Sequence, residues 1–206
     1  MERFDRFALA LIVGGSIVTA SVVSALTFWR APVAAAPVTQ AVAKHVATPL
    51  HETLVIATGD QLGSNDMPAY VPSQLTLPAN TTVTITVVNF DDATALAAGN
   101  EKYAVATGVI GPVEVQAMDS AKPNADTAAT AVTRMDPANG VSHTFTIAKL
   151  GINVPIAPKS KTTFTFKTGK AGTYEWQCMD PCGSDPNGWG GAMSALGYMR
   201  GTLTVV

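Results

Sequence analysis

Two cysteines, three histidines and seven methionines carry most of the donor chemistry that this sequence offers. The cysteines stand together near the C-terminal end in Tyr174-Glu-Trp-Gln-Cys-Met-Asp-Pro-Cys-Gly183, as a C-x-x-x-C pair, Cys178 and Cys182. Thiolate is the form that binds metal and attacks electrophiles. At this spacing a thiol pair can chelate a soft ion. It can also close a disulfide if the turn at Pro181 and Gly183 brings the Cα atoms within roughly 4.4–6.8 Å. Both readings stay open on the residues alone. His143 is the one histidine that falls on an apolar strand face, with Val141, Phe145 and Ile147. Met199 leads into the last strand-like segment, and Met193 lies in the Gly-rich loop before it. Imidazole, thiolate and thioether together are a ligand set for copper, Cu(I) above all.

The elements that must position these groups read as strands. From residue 52 onward apolar and polar residues alternate with period two. Val83, Ile85 and Val87 alternate with Thr82, Thr84 and Thr86, and Phe164 and Phe166 with Thr163 and Thr165. Threonine on one face and branched aliphatics on the other is the pattern of a half-buried strand. Tyr174, Trp176 and Cys178 share one face of the strand that enters the thiol pair, and residues 201–206 close the chain as a strand. No helical period of comparable strength appears after residue 30. Seven or so short strands with turn punctuation predict an all-β sandwich. Residues 91–140, rich in Ala, Thr, Gly, Asp and Asn, are too long for a simple loop. They read as an insertion, with strand-like stretches at Tyr103–Val105 and Val113–Val115.

Length and composition set the frame. The chain has 206 residues, of which 47% are hydrophobic and 14% charged, and a net charge of -2. That suits one domain with a sizeable core and gives nucleic acid no basic surface to bind. Residues 7–29 form an uncharged apolar run, long enough to cross a bilayer as a helix. Arg3 and Arg6 before it would keep the N-terminus in the cytoplasm and place the main domain outside, on a single-pass anchor of residues 1–30. The alternative is a cleaved signal peptide with Ala34-Ala-Ala36 as the peptidase site, giving a secreted protein. Both export the domain to a compartment where disulfides persist. Residues 31–51, dominated by Ala, Pro, Val and Thr, read as a tether that contains or adjoins His45 and His51. Residues 52–206 then form the folded domain. Lys159, Lys161, Lys167 and Lys170 read as a solvated face.

At the level of motif, the stretch Val141-Ser-His-Thr-Phe-Thr-Ile-Ala-Lys-Leu-Gly-Ile-Asn153 resembles the first copper-ligand strand of the cupredoxins. It is most similar to that of the extracytoplasmic domain of cytochrome c oxidase subunit II. Gln177-Cys-Met-Asp-Pro-Cys-Gly183 and Met199-Arg-Gly-Thr-Leu-Thr-Val205 continue the resemblance in order. It implies a cupredoxin-like Greek-key β-sandwich behind one N-terminal transmembrane helix. It also implies His143 as first histidine ligand, Cys178 and Cys182 as bridging thiolates and Met199 as the methionine of a copper centre. The sequence departs from the pattern at one place. The family's second histidine falls where Pro186 stands, in a longer loop, and no histidine follows His143. A standard binuclear centre is therefore incomplete. Met193 could stand in for the imidazole, or His45 or His51 could fold back. The third alternative is a copper-free structural subunit with a Cys178–Cys182 disulfide.

The functional expectation is copper-linked electron transfer with a respiratory-complex or electron-transfer partner, and the alternative is a Cu(I) carrier or copper-site assembly protein. No nucleophile–base pair, phosphate loop or paired catalytic carboxylates are evident, so the chain reads as an accessory or electron-transfer subunit of an oxidase and not as an independent enzyme.

Overall fold

A computed structural model describes residues 50–63, 67–118 and 127–206. The apolar run at 7–29, His45 and nearly all of the Ala/Pro-rich stretch lie outside the described residues. Among those described, no helix is long and apolar enough to cross a membrane.

Two sheets face each other. The first has six strands in the order β2-β1-β4-β9-β5-β6, built from β1 (Leu50–Ala57), β2 (Ala69–Val71), β4 (Thr82–Asn89), β5 (Val113–Ala117), β6 (Thr130–Val132) and β9 (Ser160–Lys167). The second has five in the order β3-β11-β10-β7-β8, from β3 (Gln74–Leu77), β7 (His143–Ile147), β8 (Ile152–Ile156), β10 (Gly172–Gln177) and β11 (Arg200–Val205). Pairing is antiparallel except for β1 with β4 and β3 with β11. Strand β1 begins at Leu50, so His51 belongs to the sheet and not to the tether.

Alternation dictates which side chains go inside. Along β4, Val83, Ile85 and Val87 are fully buried while the threonines between them stay half-exposed. Each such aliphatic contributes roughly 1.5–3 kcal/mol of transfer free energy. The outward threonines pair across strands, Thr84 with Thr165 and Thr86 with Thr163, both at 2.9 Å. Cross-strand pairs of this kind also help fix register. Between the sheets, Phe145 meets Phe164 at 5.5 Å and Trp176 at 5.3 Å, ring centre to ring centre, and Tyr70 stands edge-on to Phe145 and Trp176. The Tyr70 hydroxyl, buried with them, donates to the Thr144 carbonyl at 3.0 Å.

One local expectation is corrected. Tyr103–Val105 is not a strand: Glu101–Ala104 is a 3-10 turn closed by the Tyr103 amide on the Asn100 carbonyl. Every residue of β7 and β8 is buried, the threonine face of β7 included. Residues from the 91–140 segment cover it. The Asn153 side-chain amide donates to the Tyr103 and Val105 carbonyls at 3.0 and 2.7 Å. Thr107 and Asn153 also exchange backbone hydrogen bonds at 2.8 and 3.0 Å. Strand β5 of the same segment pairs with β9, and β6 forms the outer edge of that sheet. Leu96, Ala104, Met135, Val141 and Ala157 make a second, smaller core beneath it.

Gly201 lets β11 pass beneath the indole of Trp176. A Cβ there would fall 2.1 Å from an indole carbon and 2.5 Å from the Ser73 carbonyl oxygen. Gly201→Ala is therefore expected to destabilise the domain by about 1–3 kcal/mol, the usual cost of overpacking. The shift of its denaturant midpoint at constant slope measures this.

Candidate metal centre

Strand register builds the site. His143 opens β7 and is almost wholly buried. Gln177, the last residue of β10, pairs with Thr146 of β7 on one side and Arg200 of β11 on the other. Cys178 is the next residue. Its amide still donates to the Met199 carbonyl at 2.9 Å, and its side chain is fully buried. The Cys178 Sγ lies 3.8 Å from His143 Nδ1 and accepts from the Thr144 amide at 3.3 Å. The chain then turns. The Met179 amide donates to the Thr144 hydroxyl at 2.7 Å, and the Met179 carbonyl accepts from the Asn100 side chain at 3.1 Å.

This turn returns Cys182 to the site. Its Sγ lies 3.9 Å from Cys178 Sγ and 3.3 Å from Met193 Sδ. Both cysteines are free. A disulfide needs about 2.05 Å between sulfurs, so the disulfide alternative is not the arrangement found. The separation suits another chemistry: with metal–sulfur bonds of about 2.3 Å, two thiolates on one tetrahedral ion sit roughly 3.8 Å apart. The candidate donor atoms of His143, Cys178 and Cys182 all lie within 4.8 Å of one another, a group that could hold a metal ion.

Met193 reaches the site because the loop after Cys182 folds back. The Gly183 amide donates to the Gly188 carbonyl at 2.7 Å, and Asp185 Oδ1 accepts from the Asn187 and Trp189 amides, each at 2.9 Å. A 3-10 turn, Gly191–Met193, then buries Met193. Pro186 is exposed on this loop, so the position where the family pattern expects a histidine faces solvent. Met199 is buried too: its backbone carbonyl holds Cys178, and its side chain belongs to the main core together with Cys178 and Met193. His51 is exposed on β1 with Nε2 2.9 Å from the Thr86 hydroxyl, away from the sulfurs' hydrogen-bonding partners.

The ionisable groups of the site shift one another strongly. Burial opposes charge on His143, but hydrogen bonds and charges from Asp91 and Cys178 outweigh it and raise its pKa to about 9. Burial likewise opposes the Cys178 thiolate, yet Cys182 as donor and the His143 imidazolium hold its pKa well below the ordinary thiol value. Cys182 goes the other way, raised by that same donation to Cys178 and by burial. Asp180, between the cysteines, is wholly buried with neither carboxylate oxygen hydrogen-bonded. Burial first, and then the Cys178 charge, push its pKa up to about 7. Two sulfurs of cysteine, an imidazole nitrogen and a thioether are the donor types that fit a soft metal cation.

Asp91, Thr144 and Asn100 also belong to the site and were not legible beforehand. Asp91 Oδ2 lies 3.1 Å from His143 Nε2, a contact between residues 52 positions apart. No local pattern marks such a contact; only the sheet register creates it.

No protein-family model matches the sequence, and no curated protein matches it. Among solved structures, auracyanin B is similar at 20% identity and a TM-score of 0.34, over 78% of this chain and 91% of that one. Auracyanin A, a "blue" copper protein from the green thermophilic photosynthetic bacterium Chloroflexus aurantiacus, gives 19% and 0.34 over 77% and 100%. Reduced auracyanin from Roseiflexus castenholzii gives 15% and 0.32 over 78% and 99%. At this level of likeness the site is argued from its own residues.

Gly183 has no room for a side chain: an added Cβ would meet the Gly190 carbonyl oxygen at 2.0 Å and that of Gly188 at 2.7 Å. Both are backbone atoms of the loop that carries Met193. Gly183→Ala should displace this loop and cost about 1–3 kcal/mol, read from chemical denaturation of the metal-free domain.

Proposed function

We propose that this chain is a cupredoxin-like copper protein in which His143, Cys178, Cys182 and Met193 hold one copper ion, and that it serves electron transfer. The observation that carries the reading is the convergence of three donor atoms within 4.8 Å, with the Met193 thioether 3.3 Å from the Cys182 sulfur. Thiolate and thioether donors select copper, and Cu(I) in particular, over harder ions. A bound copper would supply one-electron oxidation and reduction. The protein's part is to keep the donors still and dry. Cys178 is fixed by the Thr144 amide and the β11 backbone, and His143 by Asp91. Both lie beneath the surface, so water has little access to either.

The resemblance to the oxidase subunit II domain supports a copper ancestry for the thiol pair and a respiratory partner. Pro186 in place of the second histidine argues for one ion and not two. The apolar run at residues 7–29 with Arg3 and Arg6 before it supports a single-pass membrane anchor with the domain on the extracytoplasmic side. A second reading, a Cu(I) carrier, draws on the partly exposed Cys182 and its contact with Met193, a sulfur pair on the loop side of the site.

Purified without metal, the domain should titrate as two free thiols and take up one copper per chain. Cys178→Ser should abolish that uptake. Met193→Leu should weaken Cu(I) binding about tenfold or more, while the equally conservative Met199→Leu leaves it within about twofold. The reverse order would make Met199 the thioether ligand. A reversible one-electron couple with visible absorption supports electron transfer; tight colourless Cu(I) binding without such a couple supports the carrier. No copper uptake with both thiols free would overturn both.

A further inference from the structure

The segment that begins at Asp91 supplies none of the proposed metal ligands, yet its first residue touches the centre. Asp91 Oδ2 lies 3.1 Å from His143 Nε2, and the same imidazole presents Nδ1 to Cys178 Sγ at 3.8 Å. Asp91 itself has little freedom. Its amide donates to the Asn89 side chain at 3.0 Å, and its carbonyl accepts from the Lys159 amide at 3.0 Å. Asn89 is wholly buried and anchored by its own donation to the Ala157 carbonyl at 2.9 Å. The second carboxylate oxygen, Oδ1, accepts from the Asp92 amide at 2.9 Å. One oxygen is thus occupied by backbone, and the other is left for the imidazole.

An ionised carboxylate only accepts hydrogen bonds, so Nε2 must carry the hydrogen. A metal takes the neutral imidazole, which has a single N–H, so in that form Nδ1 is the lone pair. Nδ1 is the nitrogen on the sulfur side. We propose that Asp91 is the positioning residue of this centre: its carboxylate keeps the hydrogen on His143 Nε2 and holds Nδ1 toward the two sulfurs. Metal-binding histidines commonly donate their second N–H to a carboxylate, and loss of such a partner typically costs 10–100-fold in affinity. The inference rests on the copper reading above for its ligand, but the Asp91–His143 contact stands without it.

The carboxylate has a second effect. Its negative charge would lie across the imidazole ring from a bound ion and would stabilise the more highly charged Cu(II) more than Cu(I). Asp92, one residue on, is the natural control. It is exposed and paired with Lys159, so it brings a similar charge to the neighbourhood without touching the ring.

The test uses the full domain with Asp91→Ala, Asp91→Asn and Asp92→Asn. Nitrogen-15 NMR of His143 in the wild type should show a slowly exchanging Nε2–H, and a Nδ1 without hydrogen once Cu(I) is bound. Asp91→Ala should lose the slow exchange and bind Cu(I) about 10–100-fold more weakly. Asp91→Asn keeps an acceptor but no charge. It should retain more Cu(I) affinity than Asp91→Ala while losing about tenfold more Cu(II) than Cu(I) affinity, an upward shift of 59 mV for a one-electron couple. Asp92→Asn should change neither. Cu(I) affinity and potential unchanged in Asp91→Ala, or moved equally by Asp92→Asn, would overturn the proposal. So would a wild-type Nε2 without hydrogen. If the Asp91 variants do not fold, the wild-type NMR decides alone. If the wild type binds no copper, the copper reading fails, and the exchange of Nε2–H in the metal-free protein still decides whether Asp91 holds the ring.

Discussion

The centre depends on the pairing of β10 with β7 through Gln177 and Thr146. Adjacent strands lie about 4.8 Å apart, and successive residues point to opposite faces. Those two constraints bring Cys178 and His143, 35 residues apart in sequence, to 3.8 Å on the inner side. β11 completes the frame from the other flank, since the Met199 carbonyl takes the Cys178 amide just where β10 ends. The aromatic cluster of Phe145, Phe164, Trp176 and Tyr70 lies directly behind these positions and holds the two sheets in register. A slip of one residue on β10 would turn Cys178 outward and bury Gln177.

The long excursion between β4 and β7 is tied to the same site by buried polar groups. The Asn153 side chain joins the Tyr103 and Val105 carbonyls to the Thr146 hydroxyl, which lies 3.0 Å from that of Thr144. Thr144 in turn holds the Met179 amide, and Asn100 holds the Met179 carbonyl. A chain of hydrogen bonds in a water-poor interior is stronger per bond than the same bonds in water, and costly if one member is removed. The turn between the cysteines is therefore held from outside by the insertion and from inside by β7.

Sulfur geometry distinguishes this centre from a structural staple. Pro181 and Gly183 allow the tight return that either a disulfide or a chelate needs. The extra loop then adds a contact that the sequence offered only as one of several alternatives. It lifts Pro186 into solvent and brings Met193 onto Cys182. In the proposed site a thioether from further along the chain would take the place of an imidazole, which favours a softer ion.

The sequence alone determined the sandwich, because period-two alternation such as Val83-Thr-Ile-Thr-Val87 leaves a strand only one face to bury. It also marked His143, Cys178, Cys182, Met199 and Met193 as candidate donors, since their types and their places on strand faces or Gly-rich turns are local properties. What the tertiary structure decided are the contacts that join distant segments. These are the free thiols at 3.9 Å, the Met193 sulfur beside Cys182, the burial of the β7 threonines under the insertion, and Asp91 against His143. Each depends on sheet order and register across many residues, and residue type does not encode which distant segment will arrive.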